Sequence, residues 1–151
     1  MNYKIILASN SPRRKELLKG LDIDFEVRLI PGIDESYPQD TPPEDIPVFI
    51  ARKKADAYRA SIKEDELVIT ADTIVILDGD IIEKPIDKNE AIQMIKRLSG
   101  RKHQVITAVV LTTAESNKEF SVKSTVDFAE LTDNEIEYYV DKYKPFDKAG
   151  A

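Results

Sequence analysis

Cysteine is absent from this 151-residue chain, and histidine occurs once, as His103. The first absence excludes disulfides, thiol catalysis and thiolate metal sites. The second excludes a multi-histidine metal centre in a monomer. Any bound metal is therefore expected to be a hard cation, magnesium or manganese, held on carboxylate oxygens. Long hydrophobic runs are missing too, and no apolar segment approaches the ~20 residues that span a bilayer. The opening MNYKIILASNSPRR makes a poor signal peptide, because its apolar run covers only Ile5 to Ala8 and its arginines follow that run. Excess positive charge is also lacking. A net charge of −6 argues against a broad nucleic-acid surface but leaves room for a small basic site. With 42% hydrophobic and 33% charged residues, the chain reads as one soluble, cytoplasmic globular domain. At this length it can bury roughly 70% of its unfolded surface.

Against that background one stretch stands out: Leu67 to Leu77, LVITADTIVIL. Its aliphatic and β-branched character describes a strand buried on both faces. Asp72 is its only charge, and a carboxylate there is costly unless it is paired or binds a metal. Either Asp72 belongs to a structural polar network, or it is the reason the strand exists.

The chain begins with a strand over Lys4 to Ala8 and a turn at Ser9-Asn10-Ser11-Pro12. Ser11 is a good N-cap and Pro12 the favoured first helical residue. Leu17, Leu18 and Leu21 form the expected buried stripe of that helix. Arg13, Arg14 and Lys15 fill its first turn, where the helix dipole disfavours cations by ~0.3–1 kcal/mol each. They suit a site where a phosphate meets backbone N–H groups, serine hydroxyls and arginines. They equally suit a solvated basic end. A strand over Phe25 to Ile30 leads into a loop, Pro31 to Pro43, that carries the acidic pair Asp34-Glu35. A helix from Ile46 or Pro47 to Ile62 follows, with Val48, Ala51, Ala55, Tyr58 and Ile62 as its apolar stripe. Lys54 borders the stripe, able to snorkel to water or to reach an anion in a cleft. Arg52 and Lys53 point elsewhere and are expected to be solvated.

After the Leu67–Leu77 strand, Asp78-Gly79-Asp80 signals a hairpin, and the chain returns through Ile81 to Lys84 until Pro85. A three-residue loop sets Lys84 on the face of Asp72; a two-residue loop pairs it with Thr73 and turns it to the other face. Lys88 to Leu98 is a helix with Ala91, Ile92, Ile95 and Leu98 inward. Gln104 to Thr113 and Glu119 to Ala129 read as two hairpin strands, with His103 structural at the entry. Thr132 and Glu135 form a capping box for a last helix. The expected fold is α/β, with a mixed, mostly antiparallel central sheet flanked by helices.

Taken together, LASNSPRRKELL, IDE, IARKKADAY, ITADTIVILDGDIIEKP, MIKRLSGRKHQVITAV and PFDKAGA resemble the Maf proteins, nucleoside triphosphate pyrophosphatases once described as septum-formation inhibitors. The resemblance spans the whole chain, residues 1–151, as a single Maf-like domain. It implies a fold similar to the inosine-triphosphate pyrophosphatases with a cleft between two lobes, often a homodimer, and hydrolysis of a nucleoside triphosphate to monophosphate and pyrophosphate with a divalent cation. By motif position it implies Asp72 as proton acceptor, with Glu35, Lys54 and Lys84 beside it. It places Ser9, Arg13 and Arg14 on phosphate; on chemical grounds Glu35 and Asp72 are expected to hold the metal. ADT, where the 7-methyl-GTP branch commonly has SDQ, together with KHQVITAV, is similar to the dTTP/UTP branch, whose specificity positions match Arg13 and Thr73. Family members run on past DKAGA through a YGIQ segment, so this chain is expected to lack the family's C-terminal part. The rival expectation is a non-catalytic nucleotide-binding regulator of septum formation and cell division.

Overall fold

A computed structural model describes residues 3–82 and 84–143; Glu83 and the Pro145–Ala151 motif lie outside them. The elements in order are β1 (Lys4–Leu7), α1 (Pro12–Gly20), β2 (Phe25–Val27), α2 (Ile46–Arg59), β3 (Glu66–Leu77), β4 (Asp80–Ile82), α3 (Lys88–Leu98), β5 (Lys102–Thr112), β6 (Asn117–Asp127) and α4 (Asp133–Tyr143). A six-stranded sheet runs β2-β1-β3-β5-β6, with β4 paired to β3. β1 is parallel to both β2 and β3, whereas β4 is antiparallel to β3. This is the mixed α/β sheet that the alternation of strand and helix patterns implies. The chain divides into two compact units whose boundaries fall inside β3, β5 and β6. One holds the chain to Asp72 with Thr107–Val122; the other holds Thr73–Ile106 with the chain from Lys123.

In the first unit, α2 lays its small residues Ala51 and Ala55 against Ala108 and Val110 of β5, flanked by Val48. A second cluster joins Ile6, Val68 and Tyr58 with Ile30, Ile33 and Ile62. Burying a side chain such as Tyr58 contributes about 1.5–3 kcal/mol, provided its hydroxyl is satisfied. The hydroxyl donates to the Arg28 carbonyl at 2.8 Å and accepts the Ile30 N–H at 3.2 Å. β2 ends at Val27, opposite Leu7 where β1 ends, instead of continuing to Ile30, whose amide is committed to a side chain and not to a ladder.

One further expectation for this unit needs correction. α1 buries none of its residues, and Leu17 and Leu21 are 63% and 69% exposed. Helical spacing of leucines creates a stripe, but a stripe is buried only where another element lies over it. The charged stretch Lys63 to Glu66 hides a buried carboxylate. Glu66 is 1% exposed. Arg28 meets it through two parallel bonds, at 2.8 and 3.1 Å, and the Lys63 N–H adds a third at 3.0 Å.

In the second unit, Val75, Leu77, Ile82 and Leu98 pack with Met94, Val105 and Phe128. Ala91 and Ile95 of α3 pack on Ile136 and Val140 of α4, again with Phe128. The hairpin pairs Leu77 with Asp80 and Ile76 with Ile81, so its loop is the two residues Asp78 and Gly79. Their φ values of 51° and 83° are the left-handed pair that such a turn demands. The capping box of α4 forms as its spacing predicts: the Glu135 N–H donates to Thr132 Oγ1 at 3.2 Å, and the Thr132 N–H to Glu135 Oε1 at 3.1 Å. His103 is buried, its ring 5.9 Å from that of Phe128. Burial pulls its pKa below the ordinary value, which favours the neutral ring of a packing residue.

The Arg28–Glu66 pair makes the fold sensitive to acid. The Arg28 guanidinium, the Lys63 N–H and their charges depress the Glu66 carboxyl from 4.5 to about 2. Because the folded value is the lower one, its contribution is complete above the unfolded pKa of about 4.5 and is lost as pH falls toward 2. Arg28→Ala, which strands a buried carboxylate, is expected to cost on the order of 2–4 kcal/mol in urea unfolding at pH 7. A variant within 0.5 kcal/mol of the parent would refute this, at the level expected for an ordinary surface change.

Candidate active site

The turn between β1 and α1 is built from its serines. Ser11, at φ −64° and ψ 119°, caps the helix by accepting the Arg14 N–H at 3.4 Å, and Pro12 follows without a donor to satisfy. Ser9 Oγ accepts the Ser11 N–H at 3.1 Å and Arg14 Nη1 at 3.4 Å. The same hydroxyl thus shapes the turn and aims a guanidinium. Arg14 is partly buried, whereas Arg13 is exposed. Burial lowers the Arg14 pKa, and the charges of Asp72 and Glu35 raise it in opposition. The first turn of α1 holds no acid of its own. The cation at its start is compensated by carboxylates from elsewhere in the chain.

Those carboxylates meet at Lys54. From the inward edge of α2, its ammonium lies 3.1 Å from Glu35 Oε1 and 3.6 Å from Asp72 Oδ1. It also donates to the Ala71 carbonyl at 3.0 Å, one residue before Asp72 on β3. Lys54 and Asp72 have side chains only 17% and 16% exposed, while Glu35 is 55% exposed. Lys54 therefore reaches inward; it does not snorkel to bulk water. β3 is less buried at Asp72 and Thr73 than on either side of them. The polar break in its sequence is also a break in its cover.

The neighbouring residues of α2 are not simply solvated, as their sequence position suggests. Arg52 forms a two-pronged ion pair with Glu119. Lys53 reaches the loop that carries Glu35, 3.1 Å from Asp34 Oδ2 and 2.8 Å from the Ser36 carbonyl. Asp34 also accepts the Ser36 N–H at 2.9 Å. Bonds from Ser36 and Lys53 hold its carboxyl down at about 2. Sequence periodicity misses these partners because Glu119 lies on a strand far along the chain and those of Lys53 lie in an irregular loop.

Ser9, Arg14, Glu35, Lys54 and Asp72 thus belong to one unit and to one electrostatic cluster. Thr73 and Lys84 fall in the other unit. Thr73 is half-buried on β3, and Lys84 is exposed beyond the end of β4. The hairpin has the two-residue loop, and its pairing runs from Leu77–Asp80 to Val75–Ile82.

Among the described residues no three histidines, aspartates or glutamates converge as a ready-made metal cage. The Glu35–Asp72 pair nevertheless suits Mg²⁺ or Mn²⁺. Magnesium is commonly held by one or two carboxylates plus water and substrate phosphate, without a full protein cage. That both carboxylates face one cation, Lys54, shows that the spot between them accepts positive charge.

Residues 4–151 match the family model described as Maf-like protein. The chain is 56% identical over 149 residues to the dTTP/UTP pyrophosphatase of Bacteroides thetaiotaomicron, and 58% identical over 149 to that of Phocaeicola vulgatus. Each alignment covers 99% of this chain and 77% of the relative. Among solved structures, a nucleoside-triphosphatase / dITP/XTP pyrophosphatase from Mycobacterium abscessus superposes with a TM-score of 0.48 at 17% identity, over 85% of this chain and 75% of that one. By sequence, over nearly all of its length, the chain belongs to the Maf family.

Proposed function

We propose that this chain hydrolyses dTTP and UTP to the monophosphate and pyrophosphate, in the cytoplasm and with a divalent cation. The observation that carries the reading is the convergence of Glu35 and Asp72 on Lys54, within the field of Arg14. It gains support from relatives named dTTP/UTP pyrophosphatase at above half identity.

The chemistry follows from the charges. Water attacks the α-phosphorus, its oxygen forms the new P–O bond, and the bond to the bridging oxygen breaks. The β,γ-diphosphate leaves with that electron pair. Asp72 orients the water and takes its proton. Arg14, aimed by Ser9, and Arg13 beside it bind phosphate oxygens, and Lys54 offsets the charge that builds on them. Glu35 and Asp72 would hold the cation, which when bound supplies further stabilisation of that charge. An acidic protein that gathers its cations at one place suits a small polyanion better than a long one.

The family resemblance also nominates Arg13 and Thr73 for base choice and Lys84 for phosphate charge. Thr73→Ala is expected to change the ratio of dTTP to UTP turnover, and an unchanged ratio removes Thr73 from that role. The homodimer that the resemblance implies has an available edge in β6, the terminal strand of the sheet, where ten residues are exposed and the eleventh is half-buried. Sedimentation velocity at micromolar protein decides, and a single monomeric boundary removes the dimer.

Asp72→Asn is expected to lower pyrophosphate release from dTTP by about 10²–10⁴-fold with the circular-dichroism spectrum unchanged. Turnover at the parent rate would sink the assignment. Chelation by EDTA is expected to abolish release and added Mg²⁺ or Mn²⁺ to restore it. Full activity in excess chelator would remove the cation from the proposal.

A further inference from the structure

The loop bearing Glu35 has no regular secondary structure of its own from residue 33 to residue 38. Something other than a helix or a ladder must place this half-exposed carboxylate. The two residues that flank it, Asp34 and Ser36, are both gripped by Lys53. Its ammonium lies 3.1 Å from Asp34 Oδ2, 2.8 Å from the Ser36 carbonyl and 3.4 Å from Ser36 Oγ. An ammonium has three donors, and here three acceptors surround it. Below it the Phe49 ring centroid is 5.7 Å away, an additional favourable contact.

Glu35 itself pairs with Lys54, the next residue of the same helix. Consecutive lysines of α2 therefore hold three consecutive loop residues, Lys53 the outer two and Lys54 the middle one. An isolated surface ion pair holds a loop weakly. Lys53 differs because one of its acceptors is a backbone carbonyl, which fixes the main chain immediately after Glu35. The Ser36 N–H, donating to Asp34 Oδ1 at 2.9 Å, closes the same turn from within.

We infer that Lys53 is a positioning residue: it sets the loop so that the Glu35 carboxylate faces Asp72 across Lys54, and so prepares the pair to share a divalent cation. The inference rests on the proposed cation-dependent hydrolysis for its purpose, but not for its geometry. Lys53 bonds to the residues on either side of Glu35, and the Glu35 carboxylate itself is left intact when Lys53 is replaced.

The test uses Lys53→Met and Lys53→Arg in the full chain, read in two ways. Hydrogen exchange without nucleotide or metal is expected to speed up by about tenfold at the Ser36 amide in Lys53→Met, since that turn loses its outer restraint. Mn²⁺ affinity, followed by the free-ion electron paramagnetic resonance signal without turnover, is expected to weaken by about three- to tenfold, corresponding to the loss of a modest restraint. Lys53→Arg is expected to fall between Lys53→Met and the parent in both. In the pyrophosphate assay the half-saturating Mn²⁺ should rise while kcat at saturating Mn²⁺ stays within about twofold, as for loss of binding alone. Unchanged exchange at Ser36 overturns the inference, and so does faster exchange with unchanged Mn²⁺ affinity. A parent protein that releases no pyrophosphate refutes the proposed function instead, while exchange and Mn²⁺ affinity still decide the role of Lys53.

Discussion

A carboxylate in the middle of a long apolar strand has to be matched by positive charge, and much of this unit serves that need. Leaving Asp72 unpaired in low dielectric would cost several kcal/mol. The cations come from two directions. α2 supplies Lys54, whose ammonium also bonds the Ala71 carbonyl of the same strand. The β1–α1 turn supplies Arg14, held by the hydroxyl of Ser9. α2 can come close because the residues it turns toward the sheet are Ala51 and Ala55, both small and fully buried. Bulkier residues there would lift the helix, and Lys54 with it, away from β3.

The second carboxylate is handled differently. Glu35 lies on an irregular loop, so its location is set by tethers and not by a ladder of backbone bonds. The division of labour along α2 is therefore instructive. Ala51 and Ala55 pack, Lys54 joins the cluster, Lys53 grips the loop, and Arg52 turns to Glu119. Five consecutive positions serve four different surroundings because successive residues of a helix point about 100° apart, and Ala55 returns to the face of Ala51.

Features governed by neighbours in the chain were legible beforehand. The Ser11 cap, the Thr132–Glu135 capping box and the Asp-Gly hairpin each depend on spacings of a few residues, and each forms. The oddity of Asp72 was visible because an apolar pattern makes one charge conspicuous. Features that depend on distant partners were not legible. Glu66 reads as one more acid in a charged loop, and only Arg28, thirty-eight positions earlier, makes its burial possible. The leucines of α1 have the spacing of a buried stripe, but spacing says nothing about whether an element arrives to cover them. The hairpin had two registers open to it, and the left-handed pair at Asp78 and Gly79 selects one. The same limit applied to Lys53, whose acceptors sit in a loop that has no period.

The Lys54 ammonium has a consequence for the proposed cation site. Two carboxylates brought together without a counter-ion repel, and sites of that kind often cannot form until a cation arrives. Here the counter-charge is covalently part of the chain, so the carboxylate pair stands assembled on its own ammonium before any cation arrives. A cation bound at such a site would act on stability by mass action, adding RT ln(1 + [M]/Kd) to a fold that already stands. A site arranged in this way would take up and release a cation without the chain passing through the unfolded state.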